Sequence, residues 1–388
     1  MGGLRLLVVG AGMYVTGRDG TGVGTVLASL CEASRTLPIA SVEVIATSRG
    51  NRAIVQDKAA ELNQRLGTAL PIRYRVVGSD PQPAVESLDL DEYDAAIVSV
   101  PDALHFAYTH ALLEGGLHCL VVKPFVPTLA EAKTLTELAR ARGRLGMVEL
   151  HKRYDSSNRF AEQALRDGQL GTPLYSVVRY SQRVAVPTEI FRPWAASTNI
   201  FQYLAVHYVD LMWFLLRFRP IRVSAIGTRG RLAEAGIDTP DSVHATIEWR
   251  RDDGASFFTQ VASNWIDPNA SPAISDQRLE IVGTAGRLDL DQRDRGIHLT
   301  TERGLEVVNP YFSSLLPDRG AQDRFSGYGH ESIRTFIEEV TAIECRESRV
   351  EDIDRQRPTF AEALVSTAVI EAANESLVRH GAWIEVSS

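Results

Sequence analysis

Four stretches of the sequence carry residue types whose spacing suits chemistry on a nucleotide and a polar substrate. The first is Gly10-Ala-Gly12, which follows the apolar run Leu4–Val9. Glycines at a strand end allow a tight turn and close backbone approach to a diphosphate, which a helix N-terminus also attracts. Met13 and Tyr14 come next and belong to the same candidate site. Val15 stands where a third glycine is usual, and Gly17-Arg-Asp-Gly20-Thr-Gly22-Val-Gly24 separates the turn from the following helical pattern. The bland alternative is an empty glycine-rich loop.

The second stretch is Ala46-Thr-Ser48-Arg49-Gly-Asn-Arg52. An acidic residue at this place in a dinucleotide-binding domain would hold the ribose 2′-hydroxyl of NAD. No carboxylate is present. Ser48 can donate a hydrogen bond, and Arg49 and Arg52 can pair with a 2′-phosphate, so the sequence predicts NADP(H) in preference to NAD(H). Otherwise the arginines coat a surface turn. The third stretch is Val121-Val-Lys123-Pro124. Only four of the 41 basic residues are lysines: Lys58, Lys123, Lys133 and Lys152. A lysine, unlike an arginine, can give up its proton, and in a shielded site it can serve as acid and base.

The fourth stretch is an apolar helical pattern containing Asn199, Tyr203, His207 and Asp210. The last three fall at i, i+4 and i+7 and so share one face of an α-helix. A polar stripe on an otherwise apolar helix needs partners, and His with Asp is a ready proton relay. A satisfied core histidine is the competing reading. Two ligands without a third make a poor metal site, so no metal is expected.

These groups must be held by regular elements. Up to residue 150, apolar runs and helical patterns alternate: strands at Leu4–Val9, Val42–Thr47, Tyr74–Val77, Ala95–Val100, His118–Val122 and Leu145–Leu150, with helices between. Thr128-Leu-Ala-Glu131 is a capping box ahead of one helix. Such alternation predicts an α/β, doubly wound parallel sheet over residues 1–150. From 151 to 388 strands succeed one another without intervening helices, which predicts an α+β domain with a mostly antiparallel open sheet. Helices return at Glu331–Ile343 and Thr359–Arg379.

The 388 residues are 44% hydrophobic and 23% charged, ordinary for two globular domains. A net charge of −8 without a long basic run argues against nucleic acid or an anionic membrane as partner. Three widely spaced cysteines give no disulfide framework. With no signal-peptide pattern and no membrane-length apolar run, a cytoplasmic location is expected.

The order Gly10-x-Gly12, Ser99-Val100-Pro101-Asp-x-x-His105, Lys123-Pro124, His207-x-x-Asp210 resembles the Gfo/Idh/MocA oxidoreductases over nearly the whole chain. Arg357-Pro-Thr359 with Ala361-Glu-Ala363 looks like that family's closing helix. The resemblance implies a Rossmann domain followed by a domain whose open sheet often forms an oligomer interface. It adds Val100, Pro101 and His105 to the cofactor side. It makes Lys123 the lysine of a Glu-Lys-Pro motif and His207 the histidine of an Asp-x-x-x-His motif, both near the reacting oxygen. Two departures stand out: the Glu is Val122, and the Asp is Tyr203.

The expected function is therefore NADP(H)-dependent hydride transfer at a secondary alcohol or ketone of a sugar, sugar nucleotide or cyclitol, with ketone reduction favoured. Lys123, Tyr203 and His207 are the candidate catalytic residues. Lys123, Arg153, Tyr154, Trp194, Asn199, Tyr203 and His207 are the candidate substrate-side residues. A homodimer or homotetramer is expected, with Phe257, Phe258, Val261 and Trp265 as candidate sheet surface. A non-catalytic NADP-binding sensor and redox-assisted glycoside cleavage or epimerisation with retained cofactor are the alternatives.

Overall fold

A computed structural model of the protein describes residues 2–17, 22–302, 304–320, 322–353 and 357–387. Along the chain run β1 (Leu4–Val9), α1 (Met13–Thr16), α2 (Val26–Ala33), β2 (Ile39–Ala46), α3 (Asn51–Leu66), β3 (Ile72–Val76), α4 (Pro81–Glu86), β4 (Ala95–Val98), α5 (His105–Glu114), β5 (His118–Val122), α6 (Leu129–Ala141) and β6 (Gly146–Glu149). After these come α7 (Ser156–Arg166), β7 (Pro173–Arg183), α8 (Val206–Leu216), β8 (Arg219–Thr228), α9 (Arg231–Glu234), β9 (Ser242–Arg250), β10 (Ser256–Asp267), β11 (Ser275–Gly283), β12 (Arg287–Asp291), β13 (Ile297–Thr301) and β14 (Gly304–Val308). The chain closes with β15 (Ser314–Pro317), β16 (Asp323–Ser326), α10 (Tyr328–Glu344), α11 (Phe360–Val378) and β17 (Ile384–Glu385).

The first six strands form a parallel sheet in the order β3-β2-β1-β4-β5-β6, the order of a dinucleotide-binding Rossmann domain. Strand side chains alternate between faces, and both faces here are apolar cores. Leu4, Leu6 and Val8 of β1 pack with Val26, Leu27 and Leu30 of α2, while Leu7 and Val9 join Leu112, Leu113 and Leu135 of α5 and α6 on the other side. Burying each large aliphatic side chain contributes roughly 1.5–3 kcal/mol. The capping box at α6 is formed: the Glu131 amide donates to Thr128 Oγ1 at 3.2 Å, and the Thr128 amide donates to Glu131 Oε2 at 3.3 Å.

The chain divides differently from the expected 1–150 and 151–388. One compact unit is Met1–Asp155 with Tyr311–Leu364, and the other is Ser156–Pro310 with Val365–Ser388. The cause is α10, whose apolar stripe of Ile333, Phe336, Ile337 and Val340 completes the core over α2 in the first unit. The second unit holds a seven-stranded sheet, β12-β11-β7-β10-β9-β8-β17. Neighbours run antiparallel except β7 and β10, which pair in parallel.

On β10 the candidate surface residues split between the two faces. Phe257, Val261 and Trp265 are buried, and Phe258 is exposed. Residues two apart share a strand face, so the first three belong to the core and only Phe258 of the four looks outward. Among the described residues no helix is long and apolar enough to cross a membrane.

Candidate active site

At the end of β1, Gly10 adopts φ +105, and a Cβ there would overlap the Ser99 carbonyl oxygen after β4. Any other residue would be strained twice over, by its backbone angle and by that overlap. Gly12 is the reverse case: it is exposed, and a Cβ would meet nothing within 4 Å. One glycine closes the turn against the sheet and the other leaves its backbone open to a ligand. The turn leads into the single helical turn α1, and α2 begins only at Val26. Much of the intervening glycine-rich stretch, residues 18–21, lies outside the described residues. Met13 is half-buried beside the open turn. Tyr14 lies toward the sheet, where burial and then the Glu149 charge hold its hydroxyl well above the ordinary tyrosine range.

At the end of β2, Ser48, Arg49 and Arg52 are exposed. The Arg52 guanidinium lies 5.8 Å from the centre of the Tyr74 ring, and the Tyr74 hydroxyl donates to the Ser48 carbonyl. Among the described residues neither arginine has an ion-pair partner, so both guanidiniums are available to an anion. An open glycine turn with a basic loop at the neighbouring strand end fits a dinucleotide: the backbone at Gly10 and Gly12 for the diphosphate, and the β2 loop for the ribose.

After β4, Val100 and Pro101 are half-buried at the carboxyl edge of the sheet. His105 is buried. Its Nε2 lies 2.8 Å from the Val100 carbonyl, and its Nδ1 lies 2.8 Å and 3.0 Å from the Pro124 and Phe125 carbonyls. Both ring nitrogens are thus engaged by backbone. His105 thus clamps the loop after β4 to the loop after β5, at the sheet edge where the cofactor side is expected.

That clamp positions Lys123, half-buried where β5 ends. Burial pushes its ammonium down to about 7, against the opposing pull of Glu149 and Asp102. A lysine with a proton affinity near neutrality can both give and take a proton.

Sequence reasoning missed Glu149 and His151. Glu149 ends β6, is fully buried, and is approached by His151 Nδ1 at 2.9 and 3.0 Å from its two oxygens. Its signal in the sequence is a carboxylate closing the apolar strand Gly146-Met-Val-Glu149. Arg153 is buried within 3.8 Å of Glu362, and burial pushes the Tyr154 hydroxyl up to about 12 against the lowering effect of Arg357. Both belong to the first unit, and the substrate-side role expected of them stands as a proposal.

In the second unit a π-helical turn, Phe201–Ala205, precedes α8 where a continuous α-helix was expected. Such turns occur often at functional sites. Asn199 caps this turn, its Oδ1 accepting from the Gln202 amide at 3.0 Å while its Nδ2 donates to Asn374 Oδ1 at 2.8 Å. It therefore shapes the turn, beside the substrate-side role expected of it. Tyr203 is half-buried in an aromatic cluster, with Phe191, Trp194 and Trp265 ring centres at 5.0, 5.9 and 5.7 Å. Trp194 is itself half-buried and packs tilted against Phe191, ring centres 4.3 Å apart. His207 is buried, 6.4 Å from the Tyr180 ring. Tyr180 of β7 pairs with Ser263 of β10, two residues before Trp265, so Tyr203 and His207 sit over the same sheet face.

Comparison with known proteins agrees with this architecture. The profile "Oxidoreductase family, NAD-binding Rossmann fold" matches residues 4–150, and the GFO/IDH/MocA C-terminal domain profile matches 158–289. UDP-N-acetylglucosamine 3-dehydrogenase of Acidithiobacillus ferrooxidans is 30% identical over 157 residues, 40% of this chain and 46% of that protein. 1,5-Anhydro-D-fructose reductase of Ensifer adhaerens is 26% identical over 211 residues, 53% of this chain and 59% of that protein. The chain thus spans about half the length of the curated relatives it matches. Scyllo-inositol dehydrogenase from Lactobacillus casei, solved with NAD(H) and scyllo-inositol, superposes with a TM-score of 0.67 at 16% identity and full coverage of both chains, a likeness of fold. The chain belongs to the Gfo/Idh/MocA family of oxidoreductases.

Proposed function

We propose that this chain is an NADP(H)-dependent oxidoreductase acting on a secondary alcohol or ketone of a sugar, sugar nucleotide or cyclitol, with ketone reduction the favoured direction. The observation that carries the reading is Lys123, a lysine with a proton affinity near neutrality at the carboxyl edge of a Rossmann sheet. Bound cofactor supplies the hydride chemistry. Gly10 and Gly12 offer backbone to its diphosphate, and Ser48, Arg49 and Arg52 pair with a 2′-phosphate. Lys123 gives a proton to the substrate oxygen as negative charge develops there during reduction, and takes it back in the reverse direction. In the second unit the half-buried Tyr203 is the candidate hydroxyl for the substrate, Trp194 offers a ring face to a sugar, and buried His207 sits on α8, directly after the turn that carries Tyr203.

The carbohydrate class is supported by the names of the relatives, two of which are the dehydrogenase and the reductase described above. We propose assembly as a homodimer or homotetramer through the outer face of the large sheet, where Tyr175, Ile226 and Phe258 are exposed together. The functional reading is tested by following NADPH absorbance with a panel of keto sugars, inosose-type cyclitols and keto nucleotide sugars. Substrate-dependent NADPH oxidation is expected. Tight NADPH binding with no turnover on any of them would favour a sensor.

A further inference from the structure

Val122 precedes Lys123 at the position where the resemblance calls for glutamate. In the parallel ladder of β5 and β6, Val122 pairs with Glu149. Neighbouring strands lie about 4.8 Å apart, so a carboxylate lost from β5 is present one strand to the side. A fully buried carboxylate is costly unless it is paired and hydrogen-bonded. Glu149 has His151 Nδ1 donating to it, and among the charges that act on Lys123 it ranks ahead of Asp102.

We propose that Glu149 is the positioning residue for Lys123: a carboxylate carried on β6 that keeps the ammonium charged and oriented, and is itself held by His151. The proposal rests on the reading of Lys123 as the proton-handling group. The other titratable groups around the pair are Asp102 after β4, Tyr14 on α1, Tyr154 after β6 and Tyr328 on α10, with His105 behind the lysine loop. Burial raises both the Tyr14 and Tyr154 hydroxyls, so they stay neutral through the working range. Asp102 is then the rival carboxylate.

The test needs no substrate. Competitive labelling of the full-length protein with acetic anhydride at a series of pH values, read on the Lys123 peptide by mass spectrometry, gives the midpoint of its ionisation, since only the neutral amine reacts. Glu149→Gln should lower that midpoint by about one pH unit or more, because an opposite charge is removed from a close pair. Asp102→Asn should lower it less. Glu149→Asp keeps the charge on a shorter arm and should give an intermediate shift. It also serves as the working variant if Glu149→Gln does not fold. Val122→Glu in the Glu149→Gln background should return the midpoint toward wild type. An unchanged midpoint in whichever Glu149 variant folds, or a larger shift in Asp102→Asn, overturns the proposal. Turnover of Lys123→Ala reports separately on the functional reading, so the two failures are distinguishable.

Discussion

Glu149 faces Val122 across the β5–β6 ladder, which sets a buried carboxylate beside the strand end that carries Lys123. The pairing matters because desolvation and charge act on Lys123 in opposite directions. Burial alone favours the neutral amine, and the carboxylates of Glu149 and Asp102 restore part of the cost. The balance leaves a group that changes protonation near pH 7, where a proton donor for ketone reduction is most effective.

Cofactor choice follows from the β2 loop. NADPH should bind more tightly than NADH, as read by titrating cofactor fluorescence. Arg49→Glu removes a cation and adds an anion beside the 2′-phosphate. It should weaken NADPH by about tenfold or more and leave NADH nearly unchanged. Equal affinities in the unaltered protein would contradict the assignment.

The second-unit residues separate by exposure. Tyr203 is half-buried and His207 buried, so of the two the tyrosine is the one we propose to meet substrate. Tyr203→Phe keeps the ring among Phe191, Trp194 and Trp265 and deletes one oxygen. We expect kcat to fall about 10²-fold with an unchanged melting temperature. A loss of only about 0.5–1.5 kcal/mol, the size of one neutral hydrogen bond, would move the role to His207.

Stability should fall in acid through a residue far from this chemistry. Burial lowers His330 to about 4, with Arg334 and Arg324 adding to the shift. The folded state therefore resists a proton that the unfolded chain accepts from about pH 6.5 downward. Stability is complete above pH 6.5 and is lost progressively as the pH falls toward 4, by about 3 kcal/mol when the whole difference is expressed. Burial lowers His118 as well, with the same sign. His330→Gln should flatten the fall of melting temperature between pH 7 and 4. An equally steep fall in that variant would place the acid sensitivity elsewhere.

The parts of the fold that were legible are those where one physical rule dominates. β1 and β5 were read with their observed bounds because a strand buried on both faces is a continuous apolar run. The α6 cap was legible because Thr128 and Glu131 satisfy each other locally. The short strands β15 and β17 were missed, having too few residues to show a period. The helix pattern of α10 was clear, but an apolar stripe does not say which core it covers, so the return of the chain to the first unit went unread. The turn at Phe201–Ala205 differs from an α-helix too briefly for periodicity to register. Glu149 was hidden because its partner strand position is set by register, not by neighbourhood in sequence. His105 was placed at the right edge of the sheet, but its role depended on which carbonyls its ring meets.

The central claim is that Lys123 handles the substrate proton. It is tested most directly by comparing Lys123→Ala with the unaltered protein in NADPH-dependent ketone reduction, alongside NADPH binding by fluorescence. The account predicts that kcat falls about 10²–10⁴-fold while NADPH affinity is nearly unchanged. Full turnover in Lys123→Ala would contradict it.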